Sequence, residues 1–536
     1  MFLMNFPKNA KKYDRIEFTN LLTDKAFSII RPDGGVDTIK PFVYQPTKFS
    51  YDPHGYEILA DDGEPEIRAR YTPTMVGEYS VGDEKFSVAD SDNPGFIRVG
   101  KNDSRYFVYD DGTSYFPIGI NMAFPDSYAL SNGEEFGLSG DTAYLGLRQY
   151  KRWFNRCAEN GVNMVRLWIG HDYFTPDTEE TYKFDYKKFT LLDEMVKMAR
   201  ERNIKLKFTL EQFRYFDPNK KTHPCFIKKM SHNGTPCLDR NEWLTSDVWQ
   251  DAWFYKLEEL AKRYNGDTTI FTVELWNEMD CFGDVSKLCK KMLPKLRKIF
   301  PNHLITNSYG SFDCDLMLER YKNFCWEETD FIQIHRYLDQ GAAYEICNHP
   351  IEMMKDALTI FTPSEKPVLI AETGAVNDSH SGEFRYYASD DRGIIFADTV
   401  YTSAFLGACG IGNIWHWDSR YVESKNLYKM FKSIAKVFDG IDFQNEHFTY
   451  TDSSTDSVHM LSLSGKNTHL LYIRNKQDSW QNVLRDLIEP EAVGSITLPE
   501  TLKDAEIIPI WDEEPATLQG NTISNLKYGV FIKGRN

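Results

Sequence analysis

Ile270-Phe271-Thr272-Val273-Glu274-Leu275-Trp276-Asn277-Glu278-Met279-Asp280 is the stretch from which the organisation of this 536-residue chain can be worked out. An apolar run rich in β-formers ends abruptly in Trp-Asn-Glu-Met-Asp, and a helical pattern begins at about Val285. The pattern predicts a buried strand that carries a carboxylate, Glu278, to its C-terminal end, just before a strand-to-helix loop. One carboxylate says little, so a second strand of the same kind has to be found.

The second strand is Pro367-Val368-Leu369-Ile370-Ala371-Glu372-Thr373-Gly374, which is flanked by Pro and Gly and also ends in a glutamate. A strand-end glutamate is more often solvated or a helix N-cap than catalytic, and the dipeptide Asn-Glu occurs three times in the chain. Two such glutamates on one sheet edge can flank a glycosidic bond. In a retaining hydrolase their carboxyl groups lie roughly 5–5.5 Å apart.

Eight strand-like segments alternate with helical patterns, as parallel strand–helix units require. The predicted strands are 117–121, 163–168, 204–210, 270–280, 304–308, 330–337, 367–372 and 411–418. The predicted helices include 144–160, 189–202, 247–264 and 425–438. The sequence therefore predicts an α/β protein with a (β/α)8 TIM barrel whose strand ends form the site. Long polar stretches at 122–143 and 214–243 are expected to shape a substrate pocket.

Alternating β patterns with Asp-Gly, Pro and Gly turns precede and follow the barrel. They predict an N-terminal β-sandwich over 12–103, the catalytic barrel over 104–440 and a C-terminal β-sandwich over 441–536. A hairpin at 105–116 leads into the barrel. We expect the N-terminal domain to be structural.

Composition excludes several functions. With 62 Lys and Arg against 79 Asp and Glu, the formal net charge of −17 argues against nucleic acid or an anionic membrane as partner. No apolar run is long enough for a membrane span. Nine cysteines without regular spacing indicate neither a disulfide framework nor a zinc site. Residues 1–7 contain no signal-peptide core, so we expect a cytoplasmic location, although a trimmed sequence would look the same.

The two strand-end glutamates and their supporting residues resemble clan A glycoside hydrolases, typified by glycoside hydrolase family 5, over about 105–440. The resemblance implies that Glu278 is the acid/base, that Glu372 is the nucleophile and that Asn277 bonds the sugar 2-hydroxyl. Strict alternation would send Asn277 and Glu278 to opposite faces, so we expect a bulge or a strand end there. Some members also carry a β-sandwich before the barrel. These motifs are specific for the clan and not for one sugar.

Arg166, at the end of the second strand, is the cation expected to keep Glu372 ionised. The alternative is a buried ion network with Glu274 and Lys207, since an unpaired buried Glu274 would be very costly.

His335 and Tyr337 match a His-x-Tyr pattern that is frequent in the clan, with the tyrosine hydroxyl on the nucleophile. Trp415 and Trp417 share a face of the eighth strand, and one of them is expected to stack on the −1 sugar. Further strand-end candidates are Asn121, Gln212, Asn307 and His171. The third strand ends in Leu210-Glu211-Gln212-Phe213 where the family often has a histidine, which leaves the substrate open.

The sequence thus predicts a retaining β-glycoside hydrolase, with no cofactor or metal, that cleaves β-linked mannoside, glucoside, galactoside or xyloside oligosaccharides. Two alternatives remain: an inactive carbohydrate-binding barrel, and a transglycosylase or phosphorolytic enzyme with the same glutamates. The long loops favour a pocket and exo action. The oligomeric state is left open.

Overall fold

The structure, a computed structural model, describes residues 5–535 except 127–142, 179, 213–230, 233–234, 237–239, 362–363, 381 and 504. Most of the long loops expected at 122–143 and 214–243 lie outside the described residues.

The N-terminal part is built from short strands. They are β1 Asn9–Lys11, β2 Ile16–Phe18, β3 Phe27–Ile30, β4 Val36–Ile39, β5 Phe42–Tyr44, β6 Thr47–Tyr51, β7 Glu57–Asp61, β8 Glu66–Tyr71, β9 Gly77–Val81 and β10 Glu84–Ala89. They form sheets of order β1-β10-β9-β3-β4, β2-β8-β5 and β6-β7. Pairing is antiparallel except for β1, which runs parallel to β10.

The burial of β10 follows the period of two expected for a strand with one solvated face, because Phe86 and Val88 are buried and their neighbours are exposed. Side chains from the first two sheets, such as Phe18 and Tyr79, share one hydrophobic cluster.

The predicted hairpin is confirmed. β11 Ile97–Val99, β12 Phe107–Tyr109 and β13 Ser114–Tyr115 form an antiparallel sheet in which the β12–β13 turn contains Gly112 at φ 93°. The ring of Phe107 lies edge-on to Phe271 and Phe331, at centroid distances of 5.0 and 5.4 Å. Phe271 and Phe331 lie at the beginnings of two barrel strands, so this sheet covers the amino-terminal end of the barrel.

The middle of the chain supplies parallel strands and one short antiparallel pair. The strands are β14 Gly119–Asn121, β15 Met164–Trp168, β16 Lys205–Thr209, β17 Ser231–His232, β18 Thr235–Pro236, β19 Ile270–Glu274, β20 Leu304–Thr306, β21 Ile332–His335, β22 Leu338–Asp339, β23 Val368–Glu372 and β24 Ala375–Val376, of which β17 and β18 are the antiparallel pair. One parallel sheet has the order β14-β15-β16-β19-β20, and β21 pairs in parallel with β23. Every residue of β15, β19 and β23 is buried, as is typical of parallel strands covered on both faces.

The predicted eighth strand, 411–418, is not a regular strand. Ile414 makes single parallel bridges to Ile120 and Thr373, which places this segment between β14 and β23. His416 has φ 52°, a left-handed conformation that interrupts an extended chain. Between β20 and β21, contact is limited to isolated bonds such as Asp330 N–H to the Ile305 carbonyl at 2.8 Å, and no ladder forms among the described residues.

The helices lie close to their predicted positions. They are α1 Leu147–Glu159, α2 Tyr186–Arg200, α3 Arg240–Thr245, α4 Asp247–Tyr264, α5 Ser286–Ile299, α6 Asp315–Lys322, α7 Pro350–Phe361, α8 Ile394–Phe396, α9 Tyr428–Phe438 and α10 Phe443–Glu446. Trp153 and Phe154 lie on the buried face of α1, as the periodicity predicts. The Asp185 carboxylate caps α2 by accepting the Lys187 N–H.

The C-terminal part returns to β structure. Its strands are β25 Thr449–Asp452, β26 Val458–Ser464, β27 Thr468–Asn475, β28 Val493–Thr497, β29 Glu506–Pro509, β30 Thr517–Gln519, β31 Thr522–Leu526 and β32 Gly529–Arg535. They form sheets of order β25-β26-β27-β32-β29 and β28-β31-β30, whose side chains share a hydrophobic cluster. Among the described residues, no helix combines the length and apolarity needed to cross a bilayer.

Candidate active site

Both strand-end glutamates lie at the carboxyl ends of parallel strands. Glu372 is the last residue of β23, and Glu278 follows β19 by four residues. β19 ends at Glu274, so strand alternation no longer governs Asn277 and Glu278. Glu278 has φ 49° and ψ 49°, a left-handed conformation that is uncommon for residues other than Gly. Its side chain is 19% exposed, whereas that of Glu372 is 4% exposed.

The two carboxyl groups converge on one imidazole. His335 Nδ1 lies 3.0 Å from Glu278 Oε1 and 3.4 Å from Glu372 Oε2. One oxygen of each carboxyl and a nitrogen of His335 all lie within 4.8 Å of one another. Two residues that are 94 positions apart in the sequence therefore face the same cleft.

Arg166, on β15, is completely buried and bonds both members of an acidic pair. Its Nη1 donates to Glu372 Oε1, while Nε and Nη2 donate to Glu274 at 2.8 and 2.9 Å. Burial opposes its charge, but Glu274 and Glu372 raise the pKa of Arg166 above its ordinary value. Arg166 thus contacts Glu372, and it also belongs to the buried ion network with Glu274 that was the alternative.

Glu274 and Lys207 extend this network below the cleft. Burial disfavours the charge of Glu274, but Arg166 and Lys207 hold the pKa of this carboxyl well below its usual range. Lys207 Nζ lies 3.3 Å from Glu274 Oε2, an ion-pair distance without the geometry of a hydrogen bond. Burial lowers the pKa of Lys207 to about 7, so this ammonium titrates near neutrality.

Ser308, which follows β20, was not predicted. Its hydroxyl donates to Glu274 Oε1 at 2.6 Å and accepts the Glu278 N–H at 3.1 Å. It thereby connects the buried network to the backbone of Glu278. Its signal in the sequence was the polar run at the end of the fifth strand, from which only Asn307 was selected.

Tyr337 donates its hydroxyl hydrogen to Glu372 Oε2 at 2.5 Å. Burial, and then the charge of Glu372, raises the pKa of Tyr337 far above its ordinary value, so the hydroxyl stays protonated and acts as a donor. Burial lowers the pKa of His335 to about 4, which leaves its imidazole neutral at neutral pH. His335 Nε2 has no hydrogen-bond partner among the described residues.

The two asparagines of the site differ in whether a side-chain N–H is still available to donate a hydrogen bond. Asn277 Oδ1 accepts from Arg166 at 2.6 Å, and its buried Nδ2 has no partner within the described part of the chain. Asn121 Nδ2 donates to the carbonyls of Ala371, Asn413 and Ile414, and its Oδ1 accepts from Arg166. Asn277 can therefore donate to a ligand, whereas Asn121 joins strand ends.

The tryptophans of the eighth segment occupy different environments. Trp415 is 8% exposed, with its ring 5.1 Å from that of Trp168. Trp417 is fully buried against Phe124 and Trp153. Of the two tryptophans, only Trp415 has exposed surface that a ligand could contact.

The further strand-end candidates hold loops in place. His171 stacks on Phe124 at a centroid distance of 4.5 Å, and Asn307 Oδ1 accepts the Trp276 N–H. Gln212 forms a backbone bridge with Asn277.

Two groups among the described residues have metal-ligand spacing. The first is Glu278, His335 and Glu372. The second is Asp313 after β20, Asp339 at the end of β22 and His380 after β24. In the second group, His380 Nδ1 lies 2.5 Å from Asp339, and this hydrogen bond raises the pKa of the imidazole. These two side chains therefore already bind each other.

Residues 130–400, about half of the chain, match the Cellulase family, glycosyl hydrolase family 5. Cellodextrinase A of Ruminococcus flavefaciens is 22% identical over 288 residues, which cover 52% of this chain and 72% of that protein. A Bacteroides vulgatus structure with a provisional glycoside hydrolase assignment superposes with a TM-score of 0.58 at 14% identity, covering 99% of this chain and 100% of that one. The structure of a family 5 glycoside hydrolase from the same organism superposes with a TM-score of 0.52 at 13% identity. The superposition covers 83% of this chain and 94% of that one.

Membership of this family implies a (β/α)8 barrel. The extent of the family match and the shared fold lead to one conclusion: the chain belongs to glycosyl hydrolase family 5 and is a glycoside hydrolase.

Proposed function

We propose that the protein is a retaining β-glycoside hydrolase in which Glu278 is the acid/base and Glu372 the nucleophile. The observation that carries the proposal is the convergence of both carboxyls on His335, with one oxygen of each within 4.8 Å of the other. Retaining enzymes have carboxyl groups about 5–5.5 Å apart, and inverting enzymes need roughly 6.5–9.5 Å to accommodate a water.

The surroundings of the two glutamates support this division of roles. Glu372 receives hydrogen bonds from Arg166 and Tyr337, two donors that stabilise a carboxylate and fix its direction. Glu278 is the more exposed of the pair and can reach a leaving group and, later, a water. A nucleophile must be ionised, whereas an acid must hold a proton.

The reaction proceeds in two displacements. A Glu372 oxygen bonds to the anomeric carbon while the glycosidic bond breaks and Glu278 gives its proton to the leaving oxygen. Glu278 then takes a proton from water, which cleaves the glycosyl ester with net retention. Asn277 Nδ2 donates to the sugar 2-hydroxyl, and Trp415 stacks on the −1 sugar.

We propose β-linked oligosaccharides as substrates. The named activity of the relative Cellodextrinase A makes β-glucosides the first compounds to test, with mannosides, galactosides and xylosides beside them. We also propose that 12–103 and 441–536 are β-sandwich domains around a barrel at 104–440. Each of these two regions contains a pair of sheets that share a hydrophobic cluster, which supports this layout.

The test uses aryl β-glycosides with wild type and with Glu372→Ala. Loss of the nucleophile should lower kcat/KM by at least about 10³-fold. Azide should restore turnover in Glu372→Ala and give a glycosyl azide of inverted configuration, because it attacks from the face that Glu372 occupied. Glu278→Ala with azide should give the retained product.

Glu345→Ala is the matched control, because that glutamate side chain is 85% exposed. Product analysis with an added sugar acceptor separates hydrolysis from transglycosylation. Wild-type rates in Glu372→Ala would end the assignment of the nucleophile.

A further inference from the structure

Asp280 is a buried carboxyl group that the proposed reaction does not use. It lies two residues after Glu278 and has no exposed surface. Its Oδ1 accepts the Gly310 N–H at 2.7 Å, and its Oδ2 has no hydrogen-bond partner among the described residues. A buried carboxylate without a cation is costly, so its position requires an explanation.

The Asp280 carboxyl adjoins that of Glu278. A methyl group placed on Gly310 would lie 3.7 Å from Asp280 Oδ1 and 3.8 Å from Glu278 Oε1, so both carboxyls flank the same point. Burial and the charge of Glu278 raise the pKa of Asp280 to about 7, against the hydrogen bond from Gly310.

The neighbouring elements offer Asp280 little positive charge. On α6, Arg320 Nη1 donates to the Asp280 backbone carbonyl at 3.1 Å and not to its carboxylate, although its charge opposes the rise in the pKa of Asp280. Tyr321 of the same helix keeps its proton, because burial raises its pKa well above the ordinary value.

The remaining groups on this side are neutral or acidic. Tyr309 on the loop after β20 and Cys289 on α5 have pKa values raised chiefly by burial, and the charges of Asp280 and Asp284 contribute to both. Asp284, two residues before α5, is a further acidic residue on this side.

We propose that Asp280 is a positioning residue for the general acid, whose carboxyl beside that of Glu278 favours the protonated form of Glu278 through the neutral pH range. This inference rests on the proposed role of Glu278. A negative charge on Asp280 favours the protonated form of its neighbour, and two interacting carboxyls titrate as a pair.

The test is Asp280→Asn, which retains an acceptor for the Gly310 N–H and removes the charge. For an aryl β-glycoside with a poor leaving group, the alkaline limb of kcat/KM should move to lower pH by about 0.5–1 unit. The rate on the acidic side should stay within about threefold of wild type. With a dinitrophenyl leaving group, which needs no acid, this shift should disappear.

Asp390→Asn is the matched control, since that buried carboxyl bonds the first turn of α8 and Tyr421 instead. Asp390→Asn should leave the alkaline limb of the kcat/KM profile at the same pH as in wild type. Glu278→Gln tests the underlying assignment, because it should slow the poor leaving group far more than dinitrophenyl. Absence of that contrast would count against the role of Glu278 and not against Asp280 alone.

Should Asp280→Asn fail to fold, carboxyl-labelled aspartate in the wild type and in Glu278→Gln can be titrated by NMR. One aspartate that titrates near neutrality should move to lower pH in Glu278→Gln. Superimposable pH profiles for Asp280→Asn and wild type, or no moving aspartate, would overturn the proposal.

Discussion

Glu278 shows how one backbone conformation assembles the site. A left-handed residue other than Gly costs roughly 1–2 kcal/mol, so surrounding contacts must hold it. Here the Glu278 N–H is bonded to Ser308 and the next turn is anchored through Asp280 to Gly310. The sequence led us to expect a bulge or a strand end. The structure has a strand end followed by this left-handed residue.

Glu372, the proposed nucleophile, receives side-chain hydrogen bonds from Tyr337 and Arg166. Tyr337→Phe removes one charge-assisted hydrogen bond, worth about 1.5–3 kcal/mol. We expect kcat/KM for aryl β-glycosides to fall about 10- to 100-fold in protein that is still folded at the assay temperature. Steady-state kinetics and thermal unfolding together measure this.

Tyr401→Phe is the control for this change. Its buried hydroxyl donates to the Met430 carbonyl at 2.9 Å, outside the site. It should cost stability without affecting catalysis. Equal catalytic losses in both variants would show that Tyr337 acts through folding.

Strands β15, β16 and β19 place a charged layer inside the barrel. Arg166, Lys207 and Glu274 are all completely buried, and each comes from a different strand. Parallel strands in register bring such residues side by side, since Arg166 pairs with Lys207 along β15 and β16. Through Arg166, this layer contacts Glu372.

Lys207→Met tests how much the burial of the Lys207 ammonium in this layer lowers the stability of the fold. Since the folded pKa of Lys207 is lowered to about 7, the unfolded chain binds more protons between about pH 7 and 10.5. Wild-type stability therefore rises with pH in this window, by about 2–3 kcal/mol between pH 7 and 9. Methionine does not titrate, so the free energy of unfolding of the variant lacks this dependence on pH. We therefore expect the stability of the variant to exceed that of wild type most at pH 6 and least at pH 9.

Denaturant unfolding of both proteins at pH 6, 7.5 and 9 measures this difference. The other titratable groups are the same in both proteins, so their contributions cancel in the difference between the two free energies of unfolding. A difference that stays constant across these pH values would show that Lys207 keeps its charge in the folded state.

The C-terminal sheets are joined to the barrel by a buried ion network and by aromatic packing. Arg474 on β27 bonds Asp398 at 2.8 Å and Asp478 at 2.6 Å. The ring of Phe531 on β32 stacks on Phe405 at 5.6 Å. These contacts are as buried as those within the barrel.

Arg474→Leu should destabilise the protein by about 3–5 kcal/mol, because it leaves Asp398 buried without its cation. Burial already raises the pKa of Asp398 to about 6, with Arg474 acting against this shift. The loss should therefore be larger at pH 8 than at pH 5, where Asp398 is protonated. Thermal unfolding at both pH values measures it.

Arg485→Leu is the comparison, since Arg485 and its partner Asp486 are both more than a third exposed. It should change stability by less than about 1 kcal/mol. If Arg474→Leu is equally mild, the two parts are not held together by this network.

Much of the architecture was readable from the chain itself. Apolar runs, their periods and the Gly, Pro and Asp-Gly breaks predicted the strands, the helices and the position of Glu278 and Glu372, because these features depend on neighbouring residues. The irregular segment at 411–418 was missed, since its bridges depend on Ile120 and Thr373, which are distant in sequence.

Which side chains meet was decided by folding. Arg166 reaches Glu274, Glu372, Asn277 and Asn121 at once, a combination that no local pattern could rank. Likewise, only packing distinguishes Trp415 from the fully buried Trp417 and brings Asp280 beside Glu278. Periodicity reports which way a side chain points from its own strand, whereas its partners come from strands elsewhere in the chain.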